Sequence, residues 1–308
     1  MRCRGLSLMS GGLDSQLAIK VLQRAGAHVE AVCFSSPFFD CSAAREAAAR
    51  LGVELHVVDF FDDIIGLVES PAHGFGGAMN PCIDCHAAMI RRAGELMAEK
   101  GYDFVATGEV QGQRPMSQNR QALGVVEKTS GLAGRLIRPL SAKLLDPTIP
   151  EIEGKLDRNE LLDISGRSRE RQIALADKFG ISEYPSPAGG CKLTEEGFSR
   201  KLRDLMDHEG LRFSRTLVER LSLGRRFRLP GGSSVVLGRD REENSVLRDI
   251  AGQFKDGRLV LPGMPGPTAL VPVVRCEEDF ALAQEIVAAY VKGSGPADRE
   301  KFKGMQIC

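Results

Sequence analysis

The sequence predicts an α/β protein in which a parallel-sheet domain precedes a smaller C-terminal α+β domain. Two observations predict it. Through the first half, short apolar runs alternate with segments of helical periodicity, the pattern of right-handed βαβ units. Near residue 195 the alternation stops, and a hairpin-like and strand-rich stretch follows. A length of 308 residues fits about two domains. The expected boundaries are 1–195 and 196–308.

The elements read in order as follows. Leu6 to Met9 is a strand, ended by Ser10-Gly11-Gly12. Asp14 to Arg24 is a helix with Leu17, Ala18, Val21 and Leu22 on one side, stopped by Gly26. Val29 to Phe34 is a strand, Asp40 to Leu51 an alanine-rich helix closed by Gly52, and Glu54 to Phe60 a third strand. A Gly- and Pro-rich loop, 70–81, leads to a helix at Cys85 to Lys100, with Ala87, Ile90, Ala93 and Met97 at helical spacing. Phe104 to Thr107 is a fourth strand. Residues 108–134 are polar and dotted with glycine, and Leu136 to Leu140 is a further strand. Ser168 to Phe179 is a helix, and the loop from Tyr184 to Gly190 runs into Cys191. In the second domain, Phe198 to Met206, Asn244 to Phe254 and Glu277 to Val291 are helices. A hairpin spans 225–238 around Pro230-Gly231-Gly232, and 257–274 is strand-rich.

Composition narrows the class. Hydrophobic residues are 43% and charged residues 27%, which excludes disorder across the whole chain. Lys+Arg and Asp+Glu are 41 each, so a nucleic-acid site must come from local charge patterning. No apolar run approaches the ~20 residues of a membrane span, and the start lacks a signal peptide. The expectation is a cytoplasmic protein with its eight cysteines reduced.

Ser10-Gly11-Gly12-Leu13-Asp14-Ser15 follows a strand and opens a helix. Glycines let backbone N–H groups face an anion, and the helix N-terminus adds partial positive charge. Ser10 and Ser15 can donate hydroxyls, and Asp14 can hold Mg²⁺. The lysine of the common nucleotide loop is missing, and a plain glycine turn before a helix is the alternative. The string resembles the PP-loop of ATP pyrophosphatases, the adenine nucleotide alpha hydrolase-like fold. That resemblance implies cleavage of ATP between its α and β phosphates.

Cys82 and Cys85 form C-x-x-C at a helix entrance, a place that favours thiolate. With Cys191 they could form three readings: a zinc site with His86 as fourth ligand, a redox dithiol, or a three-cysteine Fe–S site with one open iron. Cys33 and Cys276 read as small buried hydrophobes. Cys3, Cys41 and Cys308 carry no assignment.

Asn80-Pro81-Cys82-Ile83-Asp84-Cys85 resembles the N-P-D-x-x-C motif of bacterial tRNA 2-thiouridylases, with Cys82 in place of Asp. Ala106-Thr107-Gly108 matches their A-T-G strand end, and Cys191 falls where they carry a second catalytic cysteine. Gly112 to Asn119 is similar to the G-Q-x-x-S-Q segment of tRNA 4-thiouridine synthases, and Leu136-Ile137-Arg138-Pro139-Leu140 to their R-P-L strand. Residues 5–193 thus resemble the thiolation branch of PP-loop enzymes. The resemblance implies ATP and Mg²⁺ at Ser10, Gly11, Gly12, Asp14 and Ser15, with Gly108 near the adenosine. Gln113, Arg114, Ser117 and Gln118 would line the nucleotide or RNA side. A [4Fe-4S] cluster would be held by Cys82, Cys85 and Cys191. Asp14, Cys85 and Cys191 would carry the chemistry. The N-terminal RNA-binding region of 4-thiouridine synthases and a rhodanese domain are not expected here.

Arg212, Arg215, Arg220, Arg225, Arg226 and Arg228 stand against a single acid, Glu219. Such a stretch contacts phosphates or forms a solvated helix face. Val235 to Asn244, which includes Arg239, resembles the V-G-R-x-x-x-x-N signature of the RNA-binding domain of NFACT proteins, without the histidine usually found before its P-G turn. The expected phosphate contacts are Arg114, Arg225, Arg226, Arg228 and Arg239.

The expected function is ATP-dependent tRNA thiolation. A uridine carbonyl is adenylated and its oxygen replaced by sulfur, supplied as sulfide or through a cysteine desulfurase relay. A Cys191 persulfide resolved by Cys85 is the runner-up route. A PP-loop ligase or amidotransferase on a small carboxylate, and a non-catalytic RNA-binding protein with structural zinc, are the alternatives. The target nucleotide and the oligomeric state are not legible.

Overall fold

The computed structural model describes residues 3–186, 190–210 and 215–307. They fall into two units, 1–194 and 195–308. In the first unit, β1 (Arg4–Leu8), β2 (His28–Ser35), β3 (Leu55–Asp59), β4 (Phe104–Ala106) and β5 (Leu136–Ile137) form one parallel sheet. Its order is β3-β2-β1-β4-β5. Leu6 stands beside Glu30 on one side and Val105 on the other, and Ala106 beside Ile137. Val29 to Phe34 of β2 are all buried, as a strand covered on both faces requires.

The helices are α1 (Leu13–Arg24), α2 (Ser42–Leu51), α3 (Phe61–Glu69), α4 (Cys82–Lys100), α5 (Arg120–Ser130), the short α6 (Ile149–Ile152) and α7 (Glu170–Phe179). Leu13, Leu17 and Val21 of α1 share a core with Ala44 and Ala47 of α2 and Ala176 of α7. α3 packs on α4, and α4 on α5. Gly101 ends α4 in the left-handed region at φ 67°, where its lack of a Cβ removes the steric cost.

Four details depart from the sequence reading. Helix α4 begins at Cys82, so both motif cysteines lie in its first turn. Helix α5 occupies part of the stretch read as polar and irregular. Asn119 caps it by accepting the Ala122 N–H at 2.8 Å, and Ala122, Leu123 and Val126 are buried. Its Gly124 lies on the exposed side, which blurs the helical pattern in sequence. Helix α3 is likewise additional, with Phe61, Ile64, Ile65 and Val68 buried. The strand read over 136–140 is only Leu136–Ile137, because Arg138 turns inward and Pro139 has no N–H to give a ladder.

The second unit holds α8 (Glu196–His208), α9 (Arg215–Glu219), β6 (Arg225–Arg228), β7 (Ser234–Leu237), α10 (Arg241–Ala251), β8 (Arg258–Val260), β9 (Ala269–Val271), α11 (Glu277–Ala289), α12 (Pro296–Glu300) and β10 (Gln306–Ile307). Its five strands are antiparallel in the order β10-β6-β7-β9-β8. Phe227, Val235 and Leu237 pack with Ala283, Ile286 and Val287 of α11. Val236 and Leu270, from the opposite face, pack with Leu247 and Ile250 of α10. Buried Asp279 accepts the N–H groups of Gly231 (2.9 Å) and Ser233 (2.8 Å), tying the β6–β7 turn to α11.

Candidate functional site

The strand order reverses direction at β1, with β2 on one side and β4 on the other. Loops leaving β1 and β4 therefore diverge above the carboxyl ends of the strands, where open α/β sheets bind ligands. The glycine loop follows β1, and Gly108 follows β4. A Cβ on Gly108 would lie 2.7 Å from the Asp14 carbonyl carbon and the Ser15 nitrogen. Gly108 thus lets the β4 exit rest directly on the start of α1.

Gly11 has φ 81°, and a Cβ there would lie 2.4 Å from the Ala43 carbonyl carbon of α2. Both the turn and the packing require glycine. Ser15 donates its hydroxyl to the Gly12 carbonyl at 2.8 Å, and the Gly12 N–H donates to Ser10 Oγ at 3.3 Å. Asp14 Oδ2 accepts Gln113 Nε2 at 2.9 Å. Asp14 Oδ1 is buried without a partner, as are Gln113 Oε1 and Gln118 Oε1. Buried acceptors left unpaired are rare. These oxygens are the hard donors that Mg²⁺ takes, so the residues fit the ion. Ser117 and Gln118 are buried, whereas Arg114 is exposed beside them.

The sequence reading overlooked Gln16. It is buried, and its amide donates to the Gly11 carbonyl (2.8 Å) and the Glu183 carbonyl (3.1 Å). It fastens the loop to the segment that leads toward Cys191. Beyond that segment, the Lys192 N–H donates to the Phe38 carbonyl at 2.9 Å. Ala188 and Gly189, beside Cys191, lie outside the described residues.

Cys82, Cys85 and Cys191 are each half-buried free thiols. Burial pushes the Cys85 thiol well above the usual range, and Cys191, Cys82 and Asp84 push it further. More than a hundred residues separate Cys85 from Cys191, yet the fold places them in electrostatic reach. Among the described residues, one set of three or more possible ligands has all its atoms within 4.8 Å: Glu30, Glu54 and His56, toward the amino ends of the strands. The three cysteines do not form so tight a set. Three thiol donors are ligand chemistry for an Fe–S cluster as well as for zinc.

His86, the fourth ligand of the zinc alternative, forms no tight ligand set with the cysteines among the described residues. Its Nδ1 lies 3.1 Å from Glu109 Oε1. Glu109 is buried, its Oε2 accepting Arg138 Nε at 2.9 Å and the Thr107 hydroxyl at 3.1 Å. Burial opposes its ionisation, but His86 and Arg138 outweigh that and hold its carboxyl down to about 2. Arg138 continues to Glu127 (3.0 Å) and the Leu123 carbonyl (3.1 Å). Neither Glu109 nor Arg138 stood out in sequence as a site residue. Arg138 lies inside the matched R-P-L motif and Glu109 directly follows the A-T-G motif, which was the available signal.

Two cysteine expectations are corrected. Cys33 and Cys41 form a disulfide across eight positions, with Cα atoms 6.0 Å apart, so not all cysteines are reduced thiols. The turn between β2 and α2 brings them together. Cys276 is half-buried at the N-cap position of α11 rather than in a core. Cys308 lies outside the described residues.

The arginine stretch in the second unit divides. Arg226 is 4% exposed, and burial lowers its guanidinium to about 10. Arg228 pairs with Asp204 (2.7 Å) and Glu209 (2.9 Å) of the α8 region. Strand alternation turns both away from solvent, so neither is an open phosphate contact, contrary to the sequence reading. Arg212 lies outside the described residues. Arg225 stacks on Tyr290, 5.4 Å from the ring centre, and Arg239 pairs with Glu243. Both line a cleft of about 500 Å³ together with Phe198, Lys201 and Gln306.

Comparison with known proteins gives two family matches. Residues 1–144 match the family of the thiamine biosynthesis protein (ThiI), and residues 224–302 match the NFACT protein RNA binding domain. A tRNA-specific 2-thiouridylase of Cutibacterium acnes is 35% identical over 129 residues, covering 33% of this chain and 33% of the relative. A probable tRNA sulfurtransferase of Caldanaerobacter subterraneus subsp. tengcongensis is 28% identical over 177 residues, covering 54% of this chain and 41% of the relative. The chain thus spans a third to two fifths of the length of these relatives. A crystal structure of a 4-thiouridine synthetase–RNA complex with bound ATP superposes with a TM-score of 0.44 at 20% identity, over 63% of this chain and 46% of that one. No helix among the described residues is long and apolar enough to cross a membrane.

Proposed function

We propose that this chain, whose first unit resembles the PP-loop tRNA sulfurtransferases and whose second resembles the NFACT RNA-binding domain, is an ATP-dependent tRNA thiouridine synthase. The observation that carries the proposal is the junction at Gly108 and Glu109. Gly108 abuts the Asp14–Ser15 peptide, and Glu109 bonds His86, the neighbour of Cys85. Two consecutive residues thereby join the phosphate loop to the cysteine helix. A reaction that needs ATP and thiols in succession requires that adjacency.

In this reading, backbone N–H groups at the start of α1 hold the ATP phosphates, and Asp14 with Gln113 holds Mg²⁺. The uridine carbonyl oxygen attacks the α-phosphorus and pyrophosphate leaves. A sulfur nucleophile then attacks the activated carbon, and AMP departs with the original oxygen. A [4Fe-4S] cluster on Cys82, Cys85 and Cys191 would supply an iron site free to carry sulfide. The cleft at Lys201, Arg225 and Arg239 serves the RNA backbone, and the target base leaves its stack before reaction.

The test is thiolation of tRNA by anaerobically purified protein with ATP and sulfide. Parent protein converts uridine to thiouridine and releases pyrophosphate, while Cys82→Ala, Cys85→Ala and Cys191→Ala do not thiolate. Full thiolation by Cys82→Ala would replace the cluster with the Cys191 persulfide route. Pyrophosphate release driven by a small carboxylate but not by tRNA would make the protein a ligase.

A further inference from the structure

Asn80 is buried at the end of the loop that leads into α4. Its Oδ1 accepts the Ala78 N–H at 3.0 Å. A backbone N–H can only donate, so the amide oxygen must face Ala78 and the NH₂ must face the other way. There it donates to Cys82 Sγ at 3.1 Å. The Asn80 carbonyl in turn accepts the N–H groups of Gly76 and Cys82, each at 2.9 Å. A Cβ on Gly76 would lie 2.3 Å from Asn80 Nδ2, so the loop closes tightly on the amide. Both the oxygen and the backbone of Asn80 are committed to holding its NH₂ on that sulfur.

We infer that Asn80 is a positioning residue whose N–H···S bond orients Cys82 and draws charge from its sulfur, raising the reduction potential of a cluster bound there. This rests on the cluster reading above. Reduction adds negative charge to a cluster and its thiolates, and a donor on a ligand sulfur stabilises that charge. Gly76 is the steric complement that keeps the donor in place.

The test compares the full chain with Asn80→Asp and Gly76→Ala, each reconstituted anaerobically with iron and sulfide. Asn80→Asp keeps an acceptor for Ala78 but removes the donor. Gly76→Ala leaves the donor but crowds it, with no change of charge. Iron and sulfide are counted first, and the midpoint potential is then followed by spectroscopic redox titration. The expected result is parental iron and sulfide in both variants, with electron affinity lowered about tenfold, a shift of about 59 mV to more negative potential. Unchanged potentials with intact clusters would overturn the inference and leave the cluster reading standing. Loss of the cluster from both variants would make Asn80 a structural residue only, and also overturn it. A parent that takes up no iron would overturn the cluster reading itself, and the metal count separates that failure from the others.

Discussion

Glu109 and Arg138 pair at 2.9 Å with both side chains withdrawn from water. The pair joins the exit of β4 to the exit of β5, and through His86 it reaches the cysteine helix. Removing one partner strands the other as a buried charge. Arg138→Met should therefore cost about 3–5 kcal/mol in denaturant unfolding. Glu109→Gln, which removes a charge but keeps an acceptor, should cost less. Equal and small losses would mean that the pair contributes little to the site.

Asp14 contributes one hydrogen bond to the fold and leaves one buried oxygen unpaired. Asp14→Asn should preserve the thermal midpoint and lower pyrophosphate release about a hundredfold or more. Turnover at the parental rate would remove Asp14 from the nucleotide site.

The arginines of the second unit should separate by burial. Arg225→Ala with Arg239→Ala should weaken tRNA binding and reduce the slope of log K against log salt by about two, one for each phosphate contact. Arg226→Leu should leave the slope unchanged, because its guanidinium is inside the protein. Filter binding over a range of salt concentrations distinguishes the two sets.

Glu30 gives the first unit an acid-sensitive element. Burial opposes its ionisation, but Tyr102, His56 and Arg4 bond the carboxylate and hold it at about 2, below its ordinary 4.5. A depressed carboxylate stabilises the fold above its unfolded value, and that stability is lost as pH falls through the folded one. The unfolding free energy of the parent should therefore fall between about pH 5 and about pH 2 more steeply than that of Glu30→Gln. Parallel pH profiles would deny Glu30 that role.

The Cys33–Cys41 disulfide closes a loop of eight residues beside α2. Chain-entropy reasoning puts its contribution near ~2.5 kcal/mol. Dithiothreitol should lower the unfolding free energy of the parent by about that amount and leave a Cys33→Ser/Cys41→Ser variant unaffected. Equal stability with and without reductant would place the two cysteines outside any stabilising link.

Much of the first unit was legible because its signals are local. Strands such as Val29 to Phe34 are continuous apolar runs, and helices such as α1 and α4 carry apolar periodicity closed by glycine. The motifs Ser10 to Ser15 and Asn80 to Cys85 are likewise contiguous, so residue type and spacing alone pointed to phosphate and sulfur chemistry. Helix α5 was hidden because Gly124 and a polar face dilute its pattern, while burial of Leu123 and Val126 sustains it. What only tertiary structure decided was the fate of individual side chains. Arg226 and Arg228 read as surface cations, but strand alternation buried one and paired the other with acids of α8. Cys33 and Cys41 became partners through a turn. The approach of Cys191 to Cys85, the contact of Gly108 with Asp14, and the chain from His86 through Glu109 to Arg138 all join residues from separate elements. Residue order sets the pitch of a helix and the alternation of a strand. Which distant side chains then meet depends on how the sheet orders its strands, and that order follows from packing across the whole domain.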